Sequence, residues 1–247
     1  MMRRNLTRAD IERFKPFSLT FNMQTPIMLA HPWLAFDGII AHLLNREIRG
    51  QDYYTLPSKE PVESVQGVNC MPIRKTICYG HGDILHASVA QLDVSEANVA
   101  TIYKRFDERG CHEIDTTVKK LQIDRGHYRA YMMRIPYVPA RKITFYINGD
   151  VHEILRLIQF LPGLGKKVGY GYGMIRSVSA EETPEDWSLV KDGVAMRPLP
   201  CWFRDGEERM MLAWKPPYWA KENVCACVPP GAVVDGVSAS PRPLSVV

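Results

Sequence analysis

The sequence predicts an α+β chain whose regular elements follow the order βαββαβ. Three observations carry that prediction. Residues 17–24 alternate apolar and polar side chains, the pattern of a half-buried strand, and an amphipathic helix follows them. Residues 142–148 alternate in the same way and turn at Asn148-Gly149 into a second amphipathic stretch, 150–160. A glycine-rich loop then leads into an apolar strand at 174–178. With 247 residues, 46% of them hydrophobic, the chain has enough apolar material for one elaborated domain or two small ones.

In chain order, Thr25-Pro26 ends the first strand, and Pro32 suits the first turn of the helix after it. Trp33, Phe36, Ile40, Leu43 and Leu44 share one face of that helix, and Gly50 can close it with a left-handed residue. Gly38 inside the helix costs about 1 kcal/mol against alanine, which points to close packing on a sheet. Residues 51–126 are broken by Pro57, Pro61, Gly67, Pro72, Gly80 and Gly82 and read as a long insertion, with a short helix expected at 95–106. Residues 127–135 form the next expected strand, ended by Pro136. In the 142–148 strand Ile143, Phe145 and Ile147 share a face. In the 150–160 helix Val151, Ile154, Leu155 and Ile158 do so, and Asp150 stands at its positive end. Leaving the insertion aside, this is the split-βαβ, ferredoxin-like (RRM-like) order. The expected core is 1–183. Residues 184–247 form a C-terminal extension that holds tryptophans 187, 202, 214 and 219 and half of the prolines. Short strands are expected there near 208–214 and 223–228, and a loose tail at 237–247.

The chemistry-bearing stretch is 161–173, with five glycines, two lysines and two tyrosines. Glycine lets a backbone approach a partner closely, lysine meets phosphate, and tyrosine offers a face on which a base stacks. It is not a Walker loop: Gly165-Lys166 is followed by Lys167, and Phe160 stands where the earlier glycine belongs. Nor is it a dinucleotide fingerprint, because the local order is helix, loop, strand. A plain tight connection between helix and strand is the alternative reading of its glycines.

The net charge of +4 permits a polyanionic partner without demanding one. Six cysteines (70, 78, 111, 201, 225, 227) form no small-scaffold disulfide pattern, so reduced thiols and a cytoplasmic setting are expected. A polar N-terminus and the lack of an eighteen-residue apolar run predict a soluble chain with no membrane partner. Cys70, Cys78, His81 and His86 have the makings of a zinc site, but their spacing departs from the usual knuckle, and Cys225 and Cys227 read as core-facing strand cysteines. No metal and no cofactor are expected.

Three stretches resemble the RAMP superfamily of CRISPR ribonucleoprotein subunits: the first strand with the helix opening Trp33-Leu34-Ala35-Phe36-Asp37-Gly38-Ile39-Ile40-Ala41, the strand and helix of 142–161, and the glycine loop of 163–173. Within that superfamily the pattern is most similar to the type IV Cas-five-like (Csf-three type) family, and the segments 191–200 and 215–219 fit it too. The resemblance covers about two thirds of the chain. It implies a subunit that grips the 5′ handle of the guide RNA (crRNA), contacts neighbouring backbone and large subunits, and meets target DNA only through the assembled complex. Cationic grooves with stacking aromatics hold single-stranded RNA. Gly165, Lys166, Lys167, Tyr170 and Tyr172 supply both parts in the loop, and Arg125, His127, Arg129 and Arg134 add charge along the 127–135 strand. Strand alternation groups Arg125, His127, Arg129 and Tyr131 on one side. The expected role is non-catalytic. The alternatives are a guide-processing endoribonuclease, for which His127 beside Tyr128 and Arg129 is the candidate group, and an assembly scaffold that binds no RNA.

Overall fold

A computed structural model describes residues 13–29, 31–55, 71–94, 96–106, 109, 124 and 128–235. The fold is α+β, and the described residues hold antiparallel sheets and two α-helices. Strand β1 (Lys15–Met23) is followed by the short β2 (Ile27–Met28) and helix α1 (Phe36–Arg49). Strand β8 (Lys142–Gly149), helix α2 (Val151–Ile158) and strand β9 (Ile175–Glu182) form the second half of the core. The main sheet has the order β5-β8-β1-β9, where β5 is Gln91–Leu92.

The alternation in β1 and β8 explains why this sheet is covered on one side. Phe17, Leu19, Phe21, Ile143, Phe145 and Ile147 are buried against the helices. Phe145 is the hub, with ring centroids 5.8 Å from Phe21 and 5.0 Å from Phe36. The opposite face carries small polar groups, with Thr20 and Thr144 hydroxyls 3.0 Å apart and Asn22 donating to Ser177 at 3.0 Å. In α2 Ile154, Leu157 and Ile158 are buried in the core and Val151 packs against it, whereas Leu155, expected inside, is 37% exposed. Asp150 caps that helix by accepting from the backbone N–H groups of His152 and Glu153, worth about 1 kcal/mol. Arg156 clamps the two helices with a bidentate pair to Glu47, both bonds at 2.9 Å.

Several expectations change. Helix α1 begins at Phe36, beyond Pro32, because the chain before it is extended and laid along the 88–90 segment: Ala35 bridges to Val89 and Leu34 O accepts from Ala90 N–H. Gly50 follows the end of the helix with its N–H donating to Arg46 O, but at φ 55° and ψ −126° it lies outside the left-handed helical conformation expected. Gly38 faces the Tyr218 ring, not a sheet: a Cβ there would lie 3.3 Å from Tyr218 Cε2. The helix expected at 95–106 is instead a strand, β6 (Asn98–Lys104), paired along its whole length with β7 (Tyr131–Val138). Its Val, Thr, Ile and Tyr residues suit a pleated surface better than a helix. The expected 127–135 strand is this β7, which begins later and runs through Pro136, its expected end, to Val138. It joins β2 and β6 in a second sheet, β2-β7-β6, and does not enter the main one. The edge position beside β8 is taken by β5.

Part of the stretch expected as an insertion is therefore core. Met71, Ile73, Leu85 and Ala87 pack into the main cluster, and Ile73 and Ala87 bridge to Gly149 and Ile147 of β8. Strands β3 (Lys75–Cys78) and β4 (Gly82–Leu85) form a hairpin whose Cys78 and Ile84 pack on Trp214 and Cys227 of the C-terminal segment. That segment holds the hairpin β10 (Val190–Lys191) with β11 (Val194–Ala195), and a sheet of β12 (Leu199–Pro200), β14 (Val224–Val228) and β13 (Met210–Ala213). Cys227 is fully buried and Cys225 half-buried, as their strand spacing suggested. Among the described residues no helix is long and apolar enough to cross a membrane.

The C-terminal segment is tied to α1 by a buried polar knot. Arg197 is 1% exposed and donates to Asp37 Oδ2 at 2.9 Å, to Ala87 O at 3.1 Å, and to Leu85 O and Trp214 O. Tyr218 donates to Asp37 Oδ1 at 2.6 Å. Burial opposes the Arg197 charge, but the Asp37 carboxylate outweighs it and its pKa is raised. Burial, then the Asp37 charge, push the Tyr218 hydroxyl well above its ordinary range, so it remains a donor. Asp37 is thus the charged centre of the junction between core and extension.

Candidate nucleic-acid interface

The glycine loop is built as an extension of the second sheet. After α2, Gly163 bridges to Met174, Leu164 N–H donates to Gly173 O at 2.9 Å, and the Leu164 side chain enters the core. Lys166 N–H donates to Met28 O and Gly173 N–H to Pro26 O, both at 2.8 Å. The base of the loop is thereby stitched to β2 and its preceding turn.

The five glycines separate into two kinds. A Cβ on Gly165 (φ +81°) would lie 2.4 Å from Met28 O, one on Gly163 2.6 Å from Gly173 O, and one on Gly173 (φ +67°) 1.9 Å from Leu164 O. Those three are demanded by packing, as the tight-connection reading holds. Gly169 and Gly171 meet nothing within 4 Å. Gly171 is at φ +87° and makes the turn, but Gly169 has neither a crowded site nor a left-handed backbone. The tip, 166–172, presents bare backbone to solvent.

At that tip Lys167 adopts a left-handed conformation and accepts from Tyr170 N–H at 2.8 Å. Its Nζ stands 5.2 Å from the Tyr170 ring centroid. Tyr170 is 57% exposed, and its hydroxyl lies 3.3 Å from that of Tyr131 in β7. That hydrogen bond raises the Tyr170 pKa, while the charges of Lys167 and Lys104 act to lower it. Lys104 is the register partner of Tyr131. Lys167, Tyr170, Tyr131 and Lys104 thus form one cationic, aromatic rim across the loop and the β6–β7 pair.

The sequence-predicted residues divide accordingly. Lys166 and Tyr170 are exposed, and Lys167 half-exposed, on the loop. Tyr172 turns inward onto the cluster of Met28, Ile102 and Ile135, 6.3 Å from the Tyr137 ring, and acts mainly as packing. Arg129 is exposed ahead of β7. Arg134 alternates with Tyr131 and Ile135, so it projects from the opposite side of the strand, beside exposed Tyr103 and Met132. Arg125 and His127 lie outside the described residues. Lys104 was missed because its stretch reads as a helix in sequence. The alternation of Ala100, Ile102 and Lys104 toward one side was the available signal.

The four candidate zinc ligands have other surroundings. His81 stacks on Trp202, with centroids 4.5 Å apart. His86 donates from Nδ1 to Asp186 at 2.8 Å and has Thr76 Oγ1 2.7 Å from Nε2. Cys78 is buried, and Cys70 lies outside the described residues.

A comparison with curated proteins finds no match. Among solved structures, a chain in the cryo-EM structure of the type III-B Cmr-beta complex bound to cognate target RNA aligns at 11% identity and a TM-score of 0.35. The alignment covers 70% of this chain and 62% of that one, so this chain spans less than two thirds of the neighbour's length. The family model described as CRISPR type IV associated protein Csf3 matches residues 86–230. That range contains the β6–β7 pair, the glycine loop and most of the C-terminal segment, more than half of the sequence, and the chain belongs to the Csf3 family of CRISPR type IV associated proteins.

Proposed function

We propose that this chain is the crRNA-binding, Cas-five-like subunit of a type IV CRISPR effector ribonucleoprotein, holding the 5′ handle of the guide at the tip of the glycine loop. The observation that carries the reading is the rim itself. Lys167 and Lys104 flank exposed Tyr170 and its half-buried partner Tyr131, and bare backbone at Gly169 and Gly171 lets a sugar-phosphate chain come close. Lysines supply phosphate contacts and Tyr170 a stacking face. The family membership supports the CRISPR context. The main sheet, with β5 beside β8 and β9 beside β1, supports a ferredoxin-like core in which β5 takes the second-strand position. Backbone and large subunits are the proposed protein partners, and target DNA is met through the assembly.

The role proposed is binding without cleavage. Incubated with repeat RNA in EDTA, the protein is expected to leave it intact; cutting that disappears with His127→Ala would install the endoribonuclease reading instead. Binding is tested by fluorescence anisotropy on the same RNA. Lys104→Ala combined with Lys167→Ala is expected to weaken affinity and flatten its dependence on salt. Affinity that is equal in wild type and variant, and constant across the salt series, would sink the proposal.

A further inference from the structure

Behind the loop's other side lies a cleft of about 900 Å³. Its walls are the entry to α1 (Trp33, Ile39), the loop (Leu161, Val168) and strand β13, all four of whose residues, Met210 to Ala213, line it. Met210 and Met211 are 48% and 68% exposed. Apolar side chains so exposed along a cleft mark an interaction site more often than plain surface. β13 is the edge of its sheet: it pairs with β14 on one side and, among the described residues, with no strand on the other. An edge strand beside an apolar cleft is the geometry that accepts an added strand from a partner.

Charge selects the occupant. Among the described residues the lining contains no carboxylate, and its ionisable groups are Lys166, His31, His42 and Tyr218. Burial and the nearby Arg46 charge hold His42 below its usual pKa, and burial holds the Tyr218 hydroxyl above its own, so Lys166 is the cation that fixes the sign. A nucleotide strand fits poorly, because one lysine serves a long aliphatic wall. A peptide with alternating apolar residues and a carboxylate within reach of Lys166 fits wall, edge and charge together.

We propose that the cleft is a docking groove for an extended apolar segment, bearing an Asp or Glu, from another protein of the assembly, added to β13 as a strand. The inference rests on the reading of the chain as a subunit of a ribonucleoprotein. It makes the glycine loop two-sided: Lys167 and Tyr170 face RNA, while Val168 and Lys166 border the protein groove.

The test uses the full chain, co-expressed with the reading frames beside its gene and purified through a tag on this chain. Met210 is replaced by the photo-crosslinker p-benzoylphenylalanine, and crosslinked peptides are sequenced by mass spectrometry. The expected product joins position 210 to an apolar segment of a different polypeptide carrying an acidic residue. Met211→Glu and Lys166→Glu should each lower its yield roughly tenfold. Amide exchange at 210–213 should be slower in the assembly than in the free chain. Crosslinks to RNA, to a second copy of this chain or to nothing, or yields indifferent to both charge changes, would overturn the proposal. RNA affinity of the free chain, measured on Lys167→Ala and Tyr170→Ala, reads the RNA site alone, so failure of either idea is seen separately.

Discussion

Asp37 carries more of the fold than its place at a helix start suggests. Its carboxylate is fully buried and holds both Arg197 and Tyr218. Removing it leaves a buried guanidinium without its counter-ion, and breaking such a pair typically costs about 3–5 kcal/mol. Asp37→Ala is therefore expected to lower urea-unfolding stability by roughly that amount, and Asp37→Leu with Arg197→Met to recover most of it. Equal losses in the single and double variants would show that the charge pairing is not the source. Asp186 gives a different, pH-dependent signal. Burial alone would raise its pKa, but hydrogen bonds from His86 and Ser188, with Asn148, hold it well below the usual carboxylate range. A depressed folded pKa stabilises the fold above the unfolded carboxylate pKa and loses that contribution as pH falls through the folded value. The urea midpoint should thus drop from about pH 4 downward, and Asp186→Asn should start lower at pH 7 with a shallower acid slope. Neither role was legible in sequence, since Asp37 meets its partner 160 positions away and Asp186 meets His86 at a separation of 100.

The glycine loop can be dissected by substituting its glycines one at a time. Gly173→Ala puts a Cβ against Leu164 O at a left-handed backbone position, and should destabilise the protein by more than the roughly 1 kcal/mol typical of an ordinary substitution. Gly169→Ala meets open space and should change stability by less than about 0.5 kcal/mol. The same change should weaken RNA binding, because the added methyl stands where the strand approaches. Calorimetry and anisotropy on the two variants separate scaffold from contact. Tyr170→Ala should cost about 1–3 kcal/mol of RNA binding if a base stacks there. The helix–loop–strand order and the lysine–tyrosine chemistry of this element were readable from the local pattern. Its division into packed and bare glycines was not, because Ile27 and Met28 of β2 crowd Gly165 and the two ends of the loop close on each other where Leu164 meets Gly173.

The core and the C-terminal segment pack together around the knot of Arg197. Val89 N–H donates to Met196 O, Tyr218 covers Gly38, and Trp214 packs on Cys78 and Ile84. A chain cut after residue 183 would leave Asp37 buried without its cation and uncover the apolar groove. It should therefore be recovered insoluble, or without a cooperative unfolding transition, while the full chain unfolds in one. A soluble 1–183 fragment with native-like circular dichroism would contradict this.

Residue order alone determined the α+β character, the strands β1, β8 and β9 with helices α1 and α2 between them, the place of Asp150 at the positive end of α2, and the lysines and tyrosine of 166–170. Those features depend on periodicity, capping and side-chain type, which act over a few neighbours. Tertiary structure alone decided that β5 takes the edge beside β8, that β6 is a strand, and that Asp37 meets Arg197. A two-residue strand such as β5 has no period to detect, and the β6 sequence is settled by its ladder with β7. Pairing energy and buried charge are collected across long sequence separations, so they choose among elements that local pattern leaves open.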